Sequence, residues 1–152
     1  MHYLTVQDIL WVNLQLTKRV NPFNYALLED GVFYQYGYGE SDDLRSQAAR
    51  FLTGFSKVRP FETGNEATAF VGCFALLRMN GFAENLGDSD AVRWLSGIGA
   101  SQAKAFEALN LIVADDPDYH PSLSPDVRTA VRGVMSDYPA TLAALALTPS
   151  AV

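Results

Sequence analysis

The residues best suited to chemistry lie together in the segment RPFETGNEATA, from Arg59 to Ala69. It holds one cation and two carboxylates, and Gly64-Asn65 precedes a long apolar run. Because the first N–H groups of a helix have no partner inside the helix, such a start can hold an anion, with the Arg59 guanidinium beside it. The alternative is that the segment is only a turn into a buried helix.

A second candidate is the turn Gly97-Ile98-Gly99, which is similar to the hairpin of helix-hairpin-helix proteins. In such a turn, backbone N–H groups bind a nucleic-acid phosphate. The charges near it cancel: Asp90, Arg93, Lys104 and Glu107. The whole chain carries a net charge of -6, so the electrostatic support for nucleic-acid binding is missing. We therefore interpret this segment as a plain interhelical turn and do not expect a nucleic-acid partner.

An aromatic run, Phe33, Tyr34, Tyr36 and Tyr38, lies between Asp30-Gly31 and Gly39. Aromatic residues favour strands and the glycines interrupt helices, so the sequence predicts a short β flap near residues 32–38. The rings could pack on the core or stack on a base or sugar.

Metal and thiol chemistry have little support. Cys73 lies in the apolar run with no histidine near it, which is typical of an inert core thiol. His2 and His120 are far apart, and no Cys or paired His has metal-ligand spacing, so no metal site is predicted. We see neither a signal peptide nor a membrane-length apolar run, and one cysteine suits a reducing compartment. A cytoplasmic protein is expected.

Helices must position these residues. The 152-residue chain is 49% hydrophobic and 18% charged, which fits one folded domain. The apolar spacing predicts a first helix from Thr5 to Arg19, a helix capped by Ser41, and a central helix at about 65–80 that is apolar nearly all round. Further helices are expected over 89–96, 101–113 and 125–135 and after Pro139. The predicted class is all-α.

The C-terminal part reads as an extension. Residues 115–125 hold three prolines, which favours a hinge after a main domain at 1–114. Ser124-Pro125-Asp126 predicts a helix start, since proline in the first turn costs no hydrogen bond. We expect residues 115–152 to form a helical extension packed on the same domain.

The segment from Arg59 to Ala67, with the apolar helix and its Asn80-Gly81 stop, resembles the signature of the Fic/Doc (death-on-curing) family. That signature reads histidine, often proline, phenylalanine, any residue, an acid, a small residue, asparagine, glycine or lysine, and arginine. The likeness spans roughly residues 3–112. It implies a Fic-like helical bundle around the central helix, with a flap that docks a target segment at the aromatic run. Active members use magnesium and a nucleoside triphosphate to transfer a nucleotidyl or phosphoryl group to a protein.

The catalytic positions of that signature are degenerate in this chain. The histidine falls on Arg59, whose guanidinium stays protonated and cannot act as a general base. The acid falls on Thr63, a poor magnesium ligand, and the arginine falls on uncharged Ala67. Glu66 stands where glycine or lysine is usual and would repel a phosphate. The residues left as an anion- or nucleotide-binding candidate are Arg59, Phe61, Glu62, Gly64 and Asn65.

The resemblance and these losses predict a pseudoenzyme: a toxin remnant or regulator that binds a protein partner, either antitoxin-like or a target protein. No cofactor is expected, and magnesium and ATP would matter only for residual activity. One alternative is an active protein-modifying transferase that uses atypical residues such as Glu62. Another is a nucleic-acid binder acting through the Gly97 turn. The sequence does not indicate an oligomeric state.

Overall fold

The computed structural model describes residues 1–37, 43–122 and 125–146. In these ranges the chain forms eight helices and two short strands: α1 (Val6–Thr17), α2 (Tyr25–Phe33), α3 (Leu44–Val58), α4 (Asn65–Met79), β1 (Phe82–Glu84), α5 (Asp88–Ile98), α6 (Gln102–Ile112), β2 (Val113–Asp115), α7 (Val127–Asp137) and α8 (Pro139–Ala146). The predicted all-α class with a small β element is confirmed.

The predicted central helix is α4, and all of its residues except Glu66 and Arg78 are buried. Helices α1, α3 and α7 pack around it. Gly72 allows the close approach of α3, because a Cβ there would lie 2.8 Å from Cε1 of Phe51. A helix surrounded on every side needs apolar residues on every side, which is why its sequence lacks an amphipathic pattern.

The first helix begins as its sequence predicts. The Thr5 side chain accepts from the Asp8 N–H at 3.1 Å, and the Asp8 carboxylate accepts from the Thr5 N–H at 2.8 Å. This reciprocal pair satisfies two N–H groups that a helix start leaves open. The helix ends at Thr17, and Lys18 follows in the left-handed region with φ 60°.

The position predicted for the β flap, residues 32–38, is wrong. Val32 and Phe33 are the last residues of α2, a helix that the sequence analysis did not predict. Gly31 lies inside this helix against α3, where a Cβ would come within 2.8 Å of Cδ2 of Phe55. The glycine therefore serves close packing rather than a chain break. Tyr38 lies outside the described residues.

The two strands lie elsewhere in the chain. They pair antiparallel, with Phe82 opposite Asp115 and Glu84 opposite Val113. Each strand is three residues long, which is too short to produce an alternating pattern in the sequence. Val113, predicted as the end of a helix, instead begins β2 directly after α6.

The C-terminal helices α7 and α8 both pack on α4. The Arg78 Nε donates to the Glu84 carboxylate at 2.7 Å, and its Nη2 lies 2.9 Å from Oδ2 of Asp137 on α7. At the start of α8 the Asp88 carboxylate accepts from the Thr141 N–H at 2.8 Å. Charged contacts thus hold both helices against the main body of the chain.

The residues that cap α3 and α7 are not the serines predicted from the sequence. Ser41 and Ser124 lie outside the described residues, and Asp43 and Asp126 cap α3 and α7 instead. Aspartate accepts from the exposed N–H groups of a helix as well as serine does, so neither starting segment loses its cap. No helix within the described ranges has both the length and the apolar character that a bilayer crossing requires.

Candidate functional site

The loop between α3 and α4 is paired with a second segment of the chain. Arg59 ends α3 in the left-handed region with φ 52°. The Asn24 N–H donates to the Pro60 oxygen and the Glu62 N–H donates to the Pro22 oxygen, both at 3.0 Å. These two bonds form a short antiparallel bridge that fixes the loop backbone.

Asn65 uses its side-chain amide inside the loop. Its Oδ1 accepts from the Phe61 N–H at 3.0 Å, and its Nδ2 donates to the Phe61 oxygen at 2.8 Å. Both residues are buried, and the ring centroids of Phe61 and Phe55 are 6.4 Å apart. Because a buried backbone N–H and C=O need partners, this amide stabilises the loop, and its bonds are already made without a ligand.

Thr63, at the position of the family's acid, is tied to α1 and the segment after it. Its hydroxyl donates to Oδ1 of Asn21 at 2.9 Å, and its backbone oxygen accepts from Nδ2 of Asn13 at 3.0 Å. Gly64 follows with φ 82°, and a Cβ there would lie 2.7 Å from Cγ2 of Thr17. The loop is therefore pressed closely against α1.

The charged groups of the loop pair with each other. The Arg59 guanidinium forms an ion pair with the Glu66 carboxylate, and their side chains are 22% and 27% exposed. Glu66, predicted to repel a phosphate, is thereby neutralised, and the cation predicted to assist an anion is engaged. Glu62 is exposed to solvent.

A cavity of about 360 Å³ lies at the N-terminus of α4. Four positions of the segment that resembles the signature line it, Thr63, Gly64, Glu66 and Ala67, together with Leu142 and Leu145 of α8. No side chain caps this helix start. Ala67, where the resemblance would place an arginine, is only 6% exposed and lines the cavity together with residues of α8.

Arg19 also lines this cavity, although it is not among the site residues predicted from the sequence. Its Nη2 lies 3.3 Å from Oγ1 of Thr63. The two residues are 44 positions apart, and Arg19 belongs to no motif. No sequence signal marked it, because only the packing of α1 against the loop brings them together.

The aromatic run is not one surface. The Tyr34 ring packs on the α3 backbone at Gly54, where a Cβ would lie 2.5 Å from Cδ2 of the ring. The Tyr36 ring packs against the Tyr3 ring at a tilt of 59°, with ring centroids 4.6 Å apart. Phe33 and Tyr34 are 43% and 41% exposed. Phe33, Tyr34 and Tyr36 form no strand. The described part of the run therefore does not have the strand form that the resemblance implies for a docking flap.

Gly97 and Ile98 are the last two residues of α5, and the turn to α6 begins at Gly99. Gly99 has φ 58°, and neither glycine would bring a new Cβ within 4 Å of another group. Cys73 is fully buried, and burial raises the pKa of its thiol. In the described ranges no three His, Cys, Asp or Glu side chains converge on one point.

A groove of about 300 Å³ runs along α1 on the other side of the loop; we call it the α1 groove. Its lining is mostly apolar: Leu10, Trp11, Asn13, Leu14, Arg19, Val20, Asn21, Phe23 and Phe61. Phe61 belongs to the loop and also lines this groove, whereas the sequence predicted it at an anion site.

Over the described residues, fold and site together define a mainly helical domain built around one buried helix, with a cavity of mixed polar and apolar lining at its start and an apolar groove beside it. Comparison with protein-family models, curated proteins and solved structures found no match to this chain.

Proposed function

We propose that the chain is a degenerate Fic/Doc-like protein without nucleotidyl or phosphoryl transfer activity, which acts by binding a protein partner as a regulator or toxin remnant. The observation that carries the proposal is the ion pair between Arg59 and Glu66. A guanidinium cannot accept a proton from a target hydroxyl, and here it neutralises a neighbouring carboxylate instead. We also propose a cytoplasmic location, where a free thiol such as Cys73 persists.

The surroundings of the other signature positions support the same conclusion. The Thr63 hydroxyl donates to Oδ1 of Asn21, and Ala67 lines a cavity shared with α8. Binding magnesium or a phosphate as active enzymes do would require a carboxylate and an arginine at these two positions. Thr63 is instead bonded to other parts of the chain, and Ala67 has neither a charge nor a hydrogen-bonding group.

A transfer assay tests the proposal. The purified chain, incubated with labelled ATP, magnesium and a cell lysate, should label no protein above background. The decisive variant is Glu62→Ala, because Glu62 is the exposed carboxylate nearest the missing acid. Asp30→Ala removes an exposed acid from α2 and is the matched control. Labelling by the native chain that Glu62→Ala removes and Asp30→Ala preserves would overturn the proposal.

A second candidate is residual nucleotide binding in the cavity at the start of α4. The observation that favours it is the uncapped helix start beside the Arg19 guanidinium. Calorimetric titration with ATP and magnesium measures it directly. Binding that Arg19→Ala weakens at least tenfold, while Arg93→Ala on α5 does not, would establish this second function. A flat titration would remove it.

A further inference from the structure

The α1 groove leaves apolar side chains in solvent. Val20, Phe23 and Leu14 line it and are 83%, 42% and 37% exposed. They lie beside the ring of Trp11, which forms another part of the wall. Clustered apolar exposure around a concave surface is typical of a binding site, whereas apolar residues exposed singly are ordinary.

Three arginines lie at or next to this groove although the chain is acidic overall. The Arg128 and Arg132 guanidiniums of α7 lie over the Trp11 ring, 4.9 and 5.4 Å from a ring centroid. Arg19 lines the groove itself. Among the described residues, neither Arg128 nor Arg132 forms a salt bridge, although Arg132 lies close enough to the Asp126 carboxylate to help lower its pKa. Cation–π attraction holds both guanidiniums on the Trp11 ring, where a carboxylate of a ligand can still pair with them.

We propose that the α1 groove docks an acidic amphipathic segment of a partner protein. Apolar side chains at helical spacing would fill the groove between Trp11 and Phe23, as in other helix-in-groove complexes. Carboxylates on the flanks of that segment would pair with Arg19, Arg128 and Arg132. This inference rests on the proposed function in taking the partner to be a protein, but its surface evidence does not involve the Arg59–Glu66 pair.

Charge favours this occupant over two others. A second copy of the chain would bring a further net charge of -6, so self-association has a general electrostatic cost. A nucleic acid would leave the apolar wall at Val20 and Phe23 unmatched, because its phosphate backbone seeks cations rather than hydrocarbon. An acidic segment with apolar residues satisfies both features of the groove.

The test is selection of 16-residue peptides from a random display library on the immobilised full chain. Enriched peptides should carry Asp or Glu together with Leu, Ile, Phe or Trp at three- and four-residue spacing. In fluorescence anisotropy, Val20→Asp and the double variant Arg128→Glu/Arg132→Glu should each weaken their binding at least tenfold. Two matched controls should leave binding unchanged: Leu111→Asp, which alters a side chain 87% exposed on α6, and Arg93→Glu on α5.

An internal control comes from the two indole N–H signals in NMR spectra. Trp11 should shift on peptide addition, whereas Trp94, whose Nε1 donates to the Ala108 oxygen at 3.3 Å, should not. No enrichment, enrichment of basic peptides, or binding insensitive to Val20→Asp overturns the inference. A dimer in sedimentation that Val20→Asp dissociates assigns the groove to a second copy and also overturns it. ATP-dependent labelling would defeat the proposed function alone.

Discussion

The loop at residues 59–67 and the α1 groove share a wall but have opposite character. In the loop, the polar side chains of Arg59, Thr63 and Asn65 already have partners within the chain. In the groove, apolar side chains such as Val20 remain in solvent. The segment that resembles a catalytic signature thus has its polar groups satisfied within the chain, whereas unsatisfied apolar surface lies beside it. Groups with internal partners stabilise a fold, whereas groups without them can gain free energy from a ligand.

We expect Asn65→Ala to have the largest effect on stability, because it removes hydrogen bonds that hold the loop together internally. The substitution leaves the buried N–H and C=O of Phe61 without partners, and we expect a loss of about 3 kcal/mol in unfolding free energy. Urea denaturation followed by circular dichroism measures it. As a control, Asn24→Ala removes the exposed N-cap of α2 and should cost only about 1 kcal/mol. Equal losses would show that the loop is not specially stabilised by Asn65.

Gly64→Ala should have the next largest effect, about 2 kcal/mol of destabilisation, because it combines a positive φ with a close contact to Thr17. Gly97→Ala is the matched control, and its effect on the unfolding free energy should have the opposite sign. That glycine lies in α5 with open space around it, so alanine should stabilise the protein by roughly 0.5–1 kcal/mol. A destabilised Gly97→Ala variant would contradict the assignment of Gly97 to a plain helix.

Glu66→Gln tests the ion pair with Arg59. Both side chains are partly exposed, so solvent screens the interaction and we expect a loss of only about 0.5 kcal/mol. Repeating the denaturation in 1 M NaCl should shrink the difference, because salt screens exposed charges. A loss that salt leaves unchanged would mean that packing, not charge, links Glu66 to the loop.

The smallest stability effect should come from the groove. Val20 is 83% exposed, so Val20→Asp should change the unfolding free energy by less than about 0.5 kcal/mol. The same urea denaturation curves used for the loop variants measure it. Stability loss comparable to that of Asn65→Ala would show that the groove is part of the core and remove the contrast between the two regions.

Part of this molecule was predictable from short stretches of sequence. The cap at Thr5 and the all-round apolar run of α4 set helix starts and ends within one or two residues, since their causes lie within a helical turn. Helix α2 was missed because Gly31 was interpreted as a chain break. Its packing against Phe55, 24 positions away, leaves no local signal.

The helical class and the central helix follow from the amino-acid sequence alone. What the residues of the loop at 59–67 do follows only from the tertiary structure. The bond between Asn13 and Thr63 joins residues 50 positions apart, and the stacking of Arg128 on Trp11 joins α7 to α1. The packing of the helices determines these contacts. A residue's neighbours in the sequence set its local conformation but do not determine which distant residues it contacts.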